Sequence, residues 1–174
     1  MEPAEIKKEL QNFKFNNLNV RVLSYLALLM AFTAIATFIR IPGINTQYYN
    51  LGEVVIYTLA ILFGKKLGAV VGGIGSALVD LIIAPIWAPF TLIIKGLEGW
   101  VVGSLAEAEN FKRNLSAIFF GAHIMIIGYF LVVWLLYDWP AALTEIVGNY
   151  GQALVGALIA IPISRQFSNF FRSD

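Results

Sequence analysis

The stretch 89-PFTLIIKGLEGWVVGSL-105 decides the fold, because it has the apolar character of a membrane-spanning helix and yet contains two charged residues. Lys95 and Glu98 lie three residues apart, so they share one face of a helix. A charged side chain in the hydrocarbon costs at least about 2.5 kcal/mol, and such residues therefore face the bundle interior and usually mark a site. We predict that the other helices build a pocket around this face.

The composition of the whole chain agrees with a membrane location. Its 174 residues are 59% hydrophobic and 13% charged, whereas soluble domains have about 45–50% apolar and about 25% charged residues. We therefore predict an all-α, polytopic membrane protein that forms one domain in the lipid bilayer. The chain has no cysteine and one histidine, so neither a metal site nor any other cofactor is predicted. A net charge of +1 makes no case for nucleic acid as a partner.

Five further apolar segments surround the opening stretch and predict a compact bundle of six transmembrane helices. They cover residues 19–39, 51–63, 67–84, 115–137 and 141–164, so the membrane domain spans 19–164. Residues 1–18 are polar and form either a short amphipathic helix on the membrane surface or a frayed cytoplasmic or interfacial segment. Residues 165–174 are predicted to be a charged cytoplasmic tail.

Small residues at four-residue spacing predict two close-packing surfaces. Gly64, Gly68, Gly72 and Ser76 form a ridge along the third span. Ala27 and Ala31 lie one turn apart on the first span, where they can serve internal packing or an external partner. From the spacing alone, internal packing is favoured for these two alanines.

The basic residues orient the bundle. With six spans and a cytoplasmic N-terminus, ten of the twelve Lys and Arg residues lie on the cytoplasmic side, as the positive-inside rule requires. They are Lys7, Lys8, Lys14, Arg21, Lys65, Lys66, Lys112, Arg113, Arg165 and Arg172. Both termini are therefore predicted to be cytoplasmic, with Arg40 outside and Lys95 within the membrane.

Polar and aromatic residues of the last three spans fall at one depth, in the outer half of the bilayer. At 1.5 Å per residue, Lys95 lies roughly 9 Å and Asn149 about 12 Å from the outer ends of their helices. The predicted substrate-binding residues are Lys95, Glu98, Asn149, Gln152, Tyr129 and Trp134, with Tyr48 and Asn50 from the loop above. Apolar and aromatic walls with a few polar anchors suit a small organic ligand.

Each of these residues also has a purely structural interpretation. Lys95 and Glu98 can satisfy each other and only hold helices together, while Asn149 and Gln152 can form interhelical hydrogen bonds. Tyr129 and Trp134 can be core residues or part of an interfacial aromatic belt. Asp80 either caps or pairs with Lys95 or lies in the interface, and His123 is expected to be a packed, hydrogen-bonded histidine.

The pattern argues against catalysis and against self-energised transport. The sequence has no HExxH, GxSxG or kinase motif and no trio of nucleophile, base and orienting residue, so we do not predict an enzyme. It also has neither an inverted repeat nor an ATPase motif. The remaining hypothesis is a membrane receptor that holds a small solute near the outer face and needs a partner to move it.

The chain resembles the S components, the substrate-capturing subunits, of energy-coupling-factor (ECF) vitamin transporters. The similarity lies in residues 48–82, YYNLGEVVIYTLAILFGKKLGAVVGGIGSALVDLI, in 88–105 and in 148–164, GNYGQALVGALIAIPIS. The resemblance implies a six-helix bundle in a prokaryotic plasma membrane that binds its vitamin near the extracellular side. It also implies that Ala27 and Ala31 dock on the transmembrane coupling (T) subunit, and that two cytoplasmic ATPases supply the energy.

The resemblance is closest to the branch associated with hydroxymethylpyrimidine and pyridoxine-like vitamins, often labelled riboflavin-type. Lys95, Glu98, Asn149 and Gln152 suit a small heterocycle with hydroxyl groups as hydrogen-bond partners. Folate would need more cationic groups, and nickel or cobalt would need an N-terminal histidine ligand. Three hypotheses stay open: a vitamin-binding subunit for one of these heterocycles, for riboflavin or for another vitamin; a membrane scaffold; and an intramembrane enzyme.

Overall fold

The structure, a computed structural model, describes residues 2–42 and 48–171, and nearly all of these residues are helical. The helices are α1 (Pro3–Asn12), α2 (Val20–Phe38), α3 (Gly52–Phe63), α4 (Lys65–Ile83), α5 (Ala88–Leu105), α6 (Phe111–Leu136) and α7 (Trp139–Phe170). Two short antiparallel strands, β1 (Arg40–Pro42) and β2 (Tyr48–Asn50), follow α2, with Arg40 opposite Asn50. A 3₁₀ turn at Pro85–Trp87 connects α4 to α5. Each predicted span therefore contains one helix.

Four of the helices, α2, α4, α6 and α7, are long and apolar enough to cross a membrane. Helix α3 is shorter, with 12 residues, and α5 has 18 residues including the charged pair. Large apolar side chains cover the outside of the bundle; Val20, Ile82 and Leu135 are each more than three-quarters exposed. Such a surface is suited to lipid and not to water, so the chain is a helical membrane protein.

The N-terminal segment forms the amphipathic helix that was one of two alternatives. Leu10 and Phe13 are buried in a cluster with residues of α2, α3 and α4. The Gln11 side chain donates to the Leu62 carbonyl over 3.0 Å, and Lys66 Nζ donates to the Phe13 carbonyl over 2.9 Å. Helix α1 is thereby attached to the end of α3 and the start of α4.

Helix α7 continues past residue 164, where the charged tail is predicted to begin, and ends at Phe170. Ser164 and Ser168 are buried on this last part of the helix. The Phe171 ring packs edge-on against the Phe63 ring, with centroids 5.7 Å apart. An aromatic contact with α3 therefore holds the C-terminal end of α7, the segment that was predicted to be a tail because of its charged residues.

The predicted ridge on α4 is confirmed, and it sets the distance between α4 and α5. A Cβ at Gly72 would lie 2.6 Å from the Lys95 carbonyl oxygen, so only glycine lets the two backbones approach this closely. Gly64, with φ of 84°, ends α3 in a conformation that L side chains rarely adopt. The direct consequence of this packing is that Lys95 is fixed on a backbone that cannot move towards α4.

The two alanines of α2 point away from the rest of the chain. Ala27 and Ala31 are both exposed, whereas Val22, Leu26, Thr33 and Ala36 form the buried face of the helix. The spacing-based preference for internal packing is therefore wrong. The face that packs on α4 is the one with Met30 and Thr33, where a Cβ at Gly75 would lie 2.8 Å from the Thr33 side chain.

Candidate functional site

A polar cavity of about 390 Å³ opens at the end of the bundle opposite α1. It lies where α2 ends, where α3, α5 and α7 begin and where α4 approaches its last turn, beside the strand β2. Its polar lining consists of Thr37, Arg40, Asn50, Glu53, Ser76, Asp80, Thr91, Lys95, Tyr129, Glu145, Asn149 and Gln152, and Gly52, Ala84 and Trp87 complete it. The volume lies in the range of about 300–1,000 Å³ that is typical of small-molecule sites.

Lys95 stands at the base of the cavity between two carboxylates. Its Nζ donates to Glu53 Oε1 and, over 3.0 Å, to Glu98 Oε2. All three residues are at most 5% exposed. Tyr57, which is completely buried, donates its hydroxyl to Glu98 Oε1 over 2.7 Å. Both oxygens of Glu98 are therefore occupied, and this residue holds Lys95 from behind without lining the cavity.

A chain of hydrogen bonds connects this cluster to the strand β2. Gln152 Nε2 donates to Glu53 Oε1 over 2.7 Å. Gln152 Oε1 in turn accepts from the Asn50 backbone N–H at 3.3 Å and from Asn50 Nδ2 at 3.2 Å. Asn50 Oδ1 accepts from the Gly52 N–H at 2.9 Å, which fixes the start of α3. Residues of α3, α5 and α7 thus orient one another across the cavity.

An aromatic and hydroxyl wall forms another side of the cavity. Thr91 donates its hydroxyl to Asp80 Oδ2 over 2.5 Å, and Thr91 Oγ1 lies 3.1 Å from the Tyr129 hydroxyl. Lys95 Nζ lies 5.7 Å from the centre of the Tyr129 ring, and the Trp87 ring lies 6.2 Å from the same ring. Asp80 is therefore hydrogen-bonded to Thr91, which in turn contacts Tyr129 on the cavity wall.

Three polar atoms around the cavity have no hydrogen-bond partner among residues 2–42 and 48–171. They are Glu53 Oε2, Thr37 Oγ1 and Ser76 Oγ, and each belongs to a residue that lines the cavity. A buried polar atom without a partner costs about 1–3 kcal/mol, which is why folded proteins contain few of them. Three of them at one cavity indicate a place where a polar ligand supplies the missing bonds.

The structure brings most of the predicted residues together. Lys95, Tyr129, Asn149, Gln152 and Asn50 all line the cavity, and Glu98 contacts Lys95 from behind. The side chain of Tyr48 lies outside the described part of the chain.

The structure does not bring Trp134 to the cavity. It is 51% exposed on the outer side of α6, where its ring packs against Trp139 with centroids 5.2 Å apart. His123 is hydrogen-bonded, as expected, to the Phe119 carbonyl and to the Tyr150 hydroxyl, also on the outside of the bundle.

Glu53 is the charged cavity residue that sequence reasoning missed. It is the only charged residue between Leu51 and Phe63, and the argument that selected Lys95 applies to it as well. Thr37, Ser76 and Thr91 gave no such signal, because hydroxyl residues are common in membrane helices.

The fold and the site together define a helical membrane protein that encloses a polar cavity at one end of its bundle. The chain belongs to the family of S components of ECF-type transporters, because the family described as "ECF-type riboflavin transporter, S component" matches residues 17–169. This match confirms the resemblance found in the sequence.

Two curated relatives cover most of the chain. The thiamine precursor transporter HmpT of Lactococcus lactis subsp. cremoris (strain MG1363) is 34% identical over 154 residues, which is 86% of this chain and 89% of the relative. An uncharacterized protein of Pyrococcus woesei is 40% identical over 131 residues, which is 74% of this chain and 88% of the relative. The family match and the similarity to one characterised transporter thus agree on the class of S components of ECF-type transporters.

Proposed function

We propose that the protein is the substrate-binding subunit of an ECF-type importer and captures a small B-vitamin or vitamin precursor in the cavity around Lys95. One observation carries this proposal: the cavity combines a buried ammonium group between two carboxylates with three polar atoms that have no partner among the described residues. A scaffold that only joined helices would gain nothing from leaving these atoms unpaired. The substrate-binding residues are Lys95, Tyr129, Asn149, Gln152 and Asn50, with Glu98 as the residue that positions Lys95.

The ligand that fits this site best is a small heterocycle with hydroxyl or amino groups, such as hydroxymethylpyrimidine or pyridoxine. Tyr129 and Trp87 offer aromatic faces for stacking, and the opposite wall offers amides and carboxylates. The similarity to a thiamine precursor transporter supports a pyrimidine. The alternative ligand is riboflavin, which the description of the matched family supports.

The proposed topology has six spans in the plasma membrane of a prokaryote, with both termini cytoplasmic and the cavity open to the outside. The membrane domain covers residues 19–164, preceded by the segment 1–18 and followed by the tail from 165. The arrangement of charges supports this orientation. Lys65 and Lys66, at the junction of α3 and α4, lie at the α1 end of the bundle, while the cavity occupies the opposite end.

A coupling subunit and two cytoplasmic ATPases deliver the ligand inward, and α2 provides the docking surface. Ala27 and Ala31 are exposed on α2 and leave a flat strip on which another helix can pack closely. A tryptophan at either position would hold the coupling subunit away without touching the cavity. Ala31→Trp should therefore leave ligand affinity unchanged and abolish uptake in cells that contain the complete transporter; normal uptake would contradict the docking role.

A ligand screen on the purified protein tests the proposed function. Hydroxymethylpyrimidine, pyridoxine, riboflavin and thiamine are each added in a thermal-shift experiment, since a bound ligand at 100 times its Kd stabilises the folded state by about 2.7 kcal/mol. One of these compounds should raise Tm, and native mass spectrometry should show the same compound bound at one per chain. A protein whose Tm responds to none of them would favour the scaffold, and turnover of a compound without ATPases would favour an enzyme.

A further inference from the structure

The two glutamates around Lys95 differ in how completely they are bonded. Glu98 uses both carboxylate oxygens, one for Tyr57 and one for Lys95. Glu53 accepts both of its hydrogen bonds at one oxygen, since Oε1 accepts from Lys95 and from Gln152. Its second oxygen, Oε2, is buried without a partner in the described ranges 2–42 and 48–171. Glu53 therefore retains a free acceptor on the cavity wall, which Glu98 does not.

The surroundings of Glu53 prevent Oε2 from reaching another donor among the residues that the structure describes. The residue is 1% exposed, so bulk water does not solvate the carboxylate. Its Cβ packs against α7, where a Cβ at Gly156 would lie 2.6 Å from it. Close backbone packing and the bonds of Oε1 together fix the direction of the carboxylate. A donor for Oε2 must therefore come from whatever enters the cavity.

The charges around the cavity favour one kind of ligand. Its lining holds two cationic residues, Arg40 and Lys95, and three acidic ones, Glu53, Asp80 and Glu145. Glu98 adds a further carboxylate directly behind Lys95. Because like charges repel strongly where water is scarce, an anionic ligand would meet an excess of negative charge at close range. The ammonium group of Lys95 is already engaged by two carboxylates and is not available to neutralise such a ligand.

We infer that Glu53 selects the ligand by accepting a hydrogen bond from one of its N–H or O–H groups, so that the site takes an uncharged or protonated heterocycle and rejects its phosphate ester. This inference rests on the proposed function, because it assigns the ligand class of the same cavity. Thr37 lies beside this position; a Cβ at Gly52 would meet its hydroxyl at 2.5 Å. The hydroxyls of Thr37 and Ser76 have no partner in the described part of the chain and can serve further polar groups of the same ligand.

Matched pairs of alcohol and phosphate ester test the inference without knowledge of the natural ligand. The pairs are hydroxymethylpyrimidine and its phosphate, pyridoxine and pyridoxine phosphate, and riboflavin and riboflavin phosphate. Affinities are measured by titration calorimetry with the full chain in detergent. Whichever alcohol binds, its phosphate ester should bind at least about 100-fold more weakly, because a charged group is strongly disfavoured next to like charges in a buried site.

Two variants of Glu53 connect the selectivity to this residue. Glu53→Gln keeps the size of the side chain but weakens the acceptor, and should reduce the affinity for the alcohol about 10- to 100-fold. The ratio of the affinity for the alcohol to the affinity for its phosphate ester should also become smaller in this variant. Glu53→Asp keeps the charge, but its shorter side chain moves the carboxylate away from the ligand. This variant should bind the alcohol more weakly and should still reject the ester. Glu107→Gln, which removes a carboxylate from an exposed ion pair with Arg113, is the control and should change neither affinity.

The outcomes separate this inference from the proposed function. An ester that binds as tightly as its alcohol, or a Glu53→Gln protein with the affinity of the wild type, would overturn the role of Glu53 and leave the proposed function standing. A wild-type protein that binds neither these three alcohols nor thiamine would overturn both. The comparison of alcohol and ester uses the unaltered chain, so it decides the question even if a Glu53 variant fails to fold.

Discussion

The two ends of the bundle treat polar side chains in opposite ways. At the α1 end, Lys66 and Gln11 donate to backbone carbonyls, and Arg113 forms an exposed ion pair with Glu107. These bonds connect one chain segment to another and leave the charges near solvent. At the cavity end, Lys95 and Glu53 are buried, and Glu53 Oε2 has no partner among the residues that the structure describes. Three of the four buried side-chain atoms without a partner in the described ranges 2–42 and 48–171 belong to residues that line the cavity; the fourth, Thr58 Oγ1, does not. The difference teaches that unmade hydrogen bonds concentrate at the cavity end of the bundle.

Removal of Lys95 is expected to have the largest effect. In Lys95→Ala the carboxylates of Glu53 and Glu98 face each other in a buried site without a cation, and the loss of one partner of a buried ion pair costs about 3–5 kcal/mol. The protein should still insert, with a lower Tm in detergent, and should lose ligand binding in the thermal-shift experiment. Glu98→Ala should weaken binding for the same reason.

Lys66→Ala is the matched control at the other end of the bundle. Lys66 makes one bond to the Phe13 carbonyl, and a hydrogen bond of this kind contributes about 0.5–3 kcal/mol. Its loss should lower Tm less than the loss of Lys95 and leave ligand affinity intact. If both Lys95→Ala and Glu98→Ala bound the ligand with wild-type affinity, the ligand would not bind in this cavity.

Gln152→Leu should have an intermediate effect. Leucine cannot donate to Glu53 or accept from Asn50, so it breaks the chain of bonds between α3, α7 and β2 and leaves buried groups unpaired, at about 1–3 kcal/mol. We expect roughly 10-fold weaker ligand binding, measured by titration calorimetry. Gln11→Leu removes a glutamine from the α1 end and is expected to keep wild-type affinity. If Gln152→Leu and Gln11→Leu lost ligand affinity equally, the loss would reflect the general stability of the protein and not a role of Gln152 in the site.

The spans and the packing ridge could be predicted because long apolar runs and four-residue glycine spacing are properties of the sequence itself. Each predicted span coincides with a helix, although α7 extends further than its charges indicated. The partners of Lys95 could be predicted only in part. Glu98 shares its helix with Lys95, so spacing finds it, whereas Glu53 reaches Lys95 from a helix 42 residues away in the sequence. Tertiary packing alone brings these two residues together.

Tyr129 and Trp134 lie on one helix, and the sequence alone could not predict which of them lines the cavity. Both are large aromatic residues near the same end of α6, and the sequence offers no ground to prefer one. Five residues on a helix correspond to a rotation of about 140°, so one of the two must turn away if the other faces the cavity. Which face is inside depends on how α6 packs against α5 and α7. The structure turns Tyr129 inward and leaves Trp134 outside.

Trp134→Ala is expected to have the smallest effect and tests this assignment of faces. Trp134 contacts Phe130 and Trp139 on the outer surface, so its loss should change ligand affinity less than about twofold, in keeping with exposed positions that cost within about 0.5 kcal/mol. Tyr129→Ala removes an aromatic wall of the cavity and should weaken binding about 10-fold, since an aromatic pair contributes about 0.5–1.5 kcal/mol beyond its buried area. Calorimetric titration of both variants with the same ligand gives the ratio of the two effects. A larger loss in Trp134→Ala than in Tyr129→Ala would mean that α6 presents its other face to the ligand.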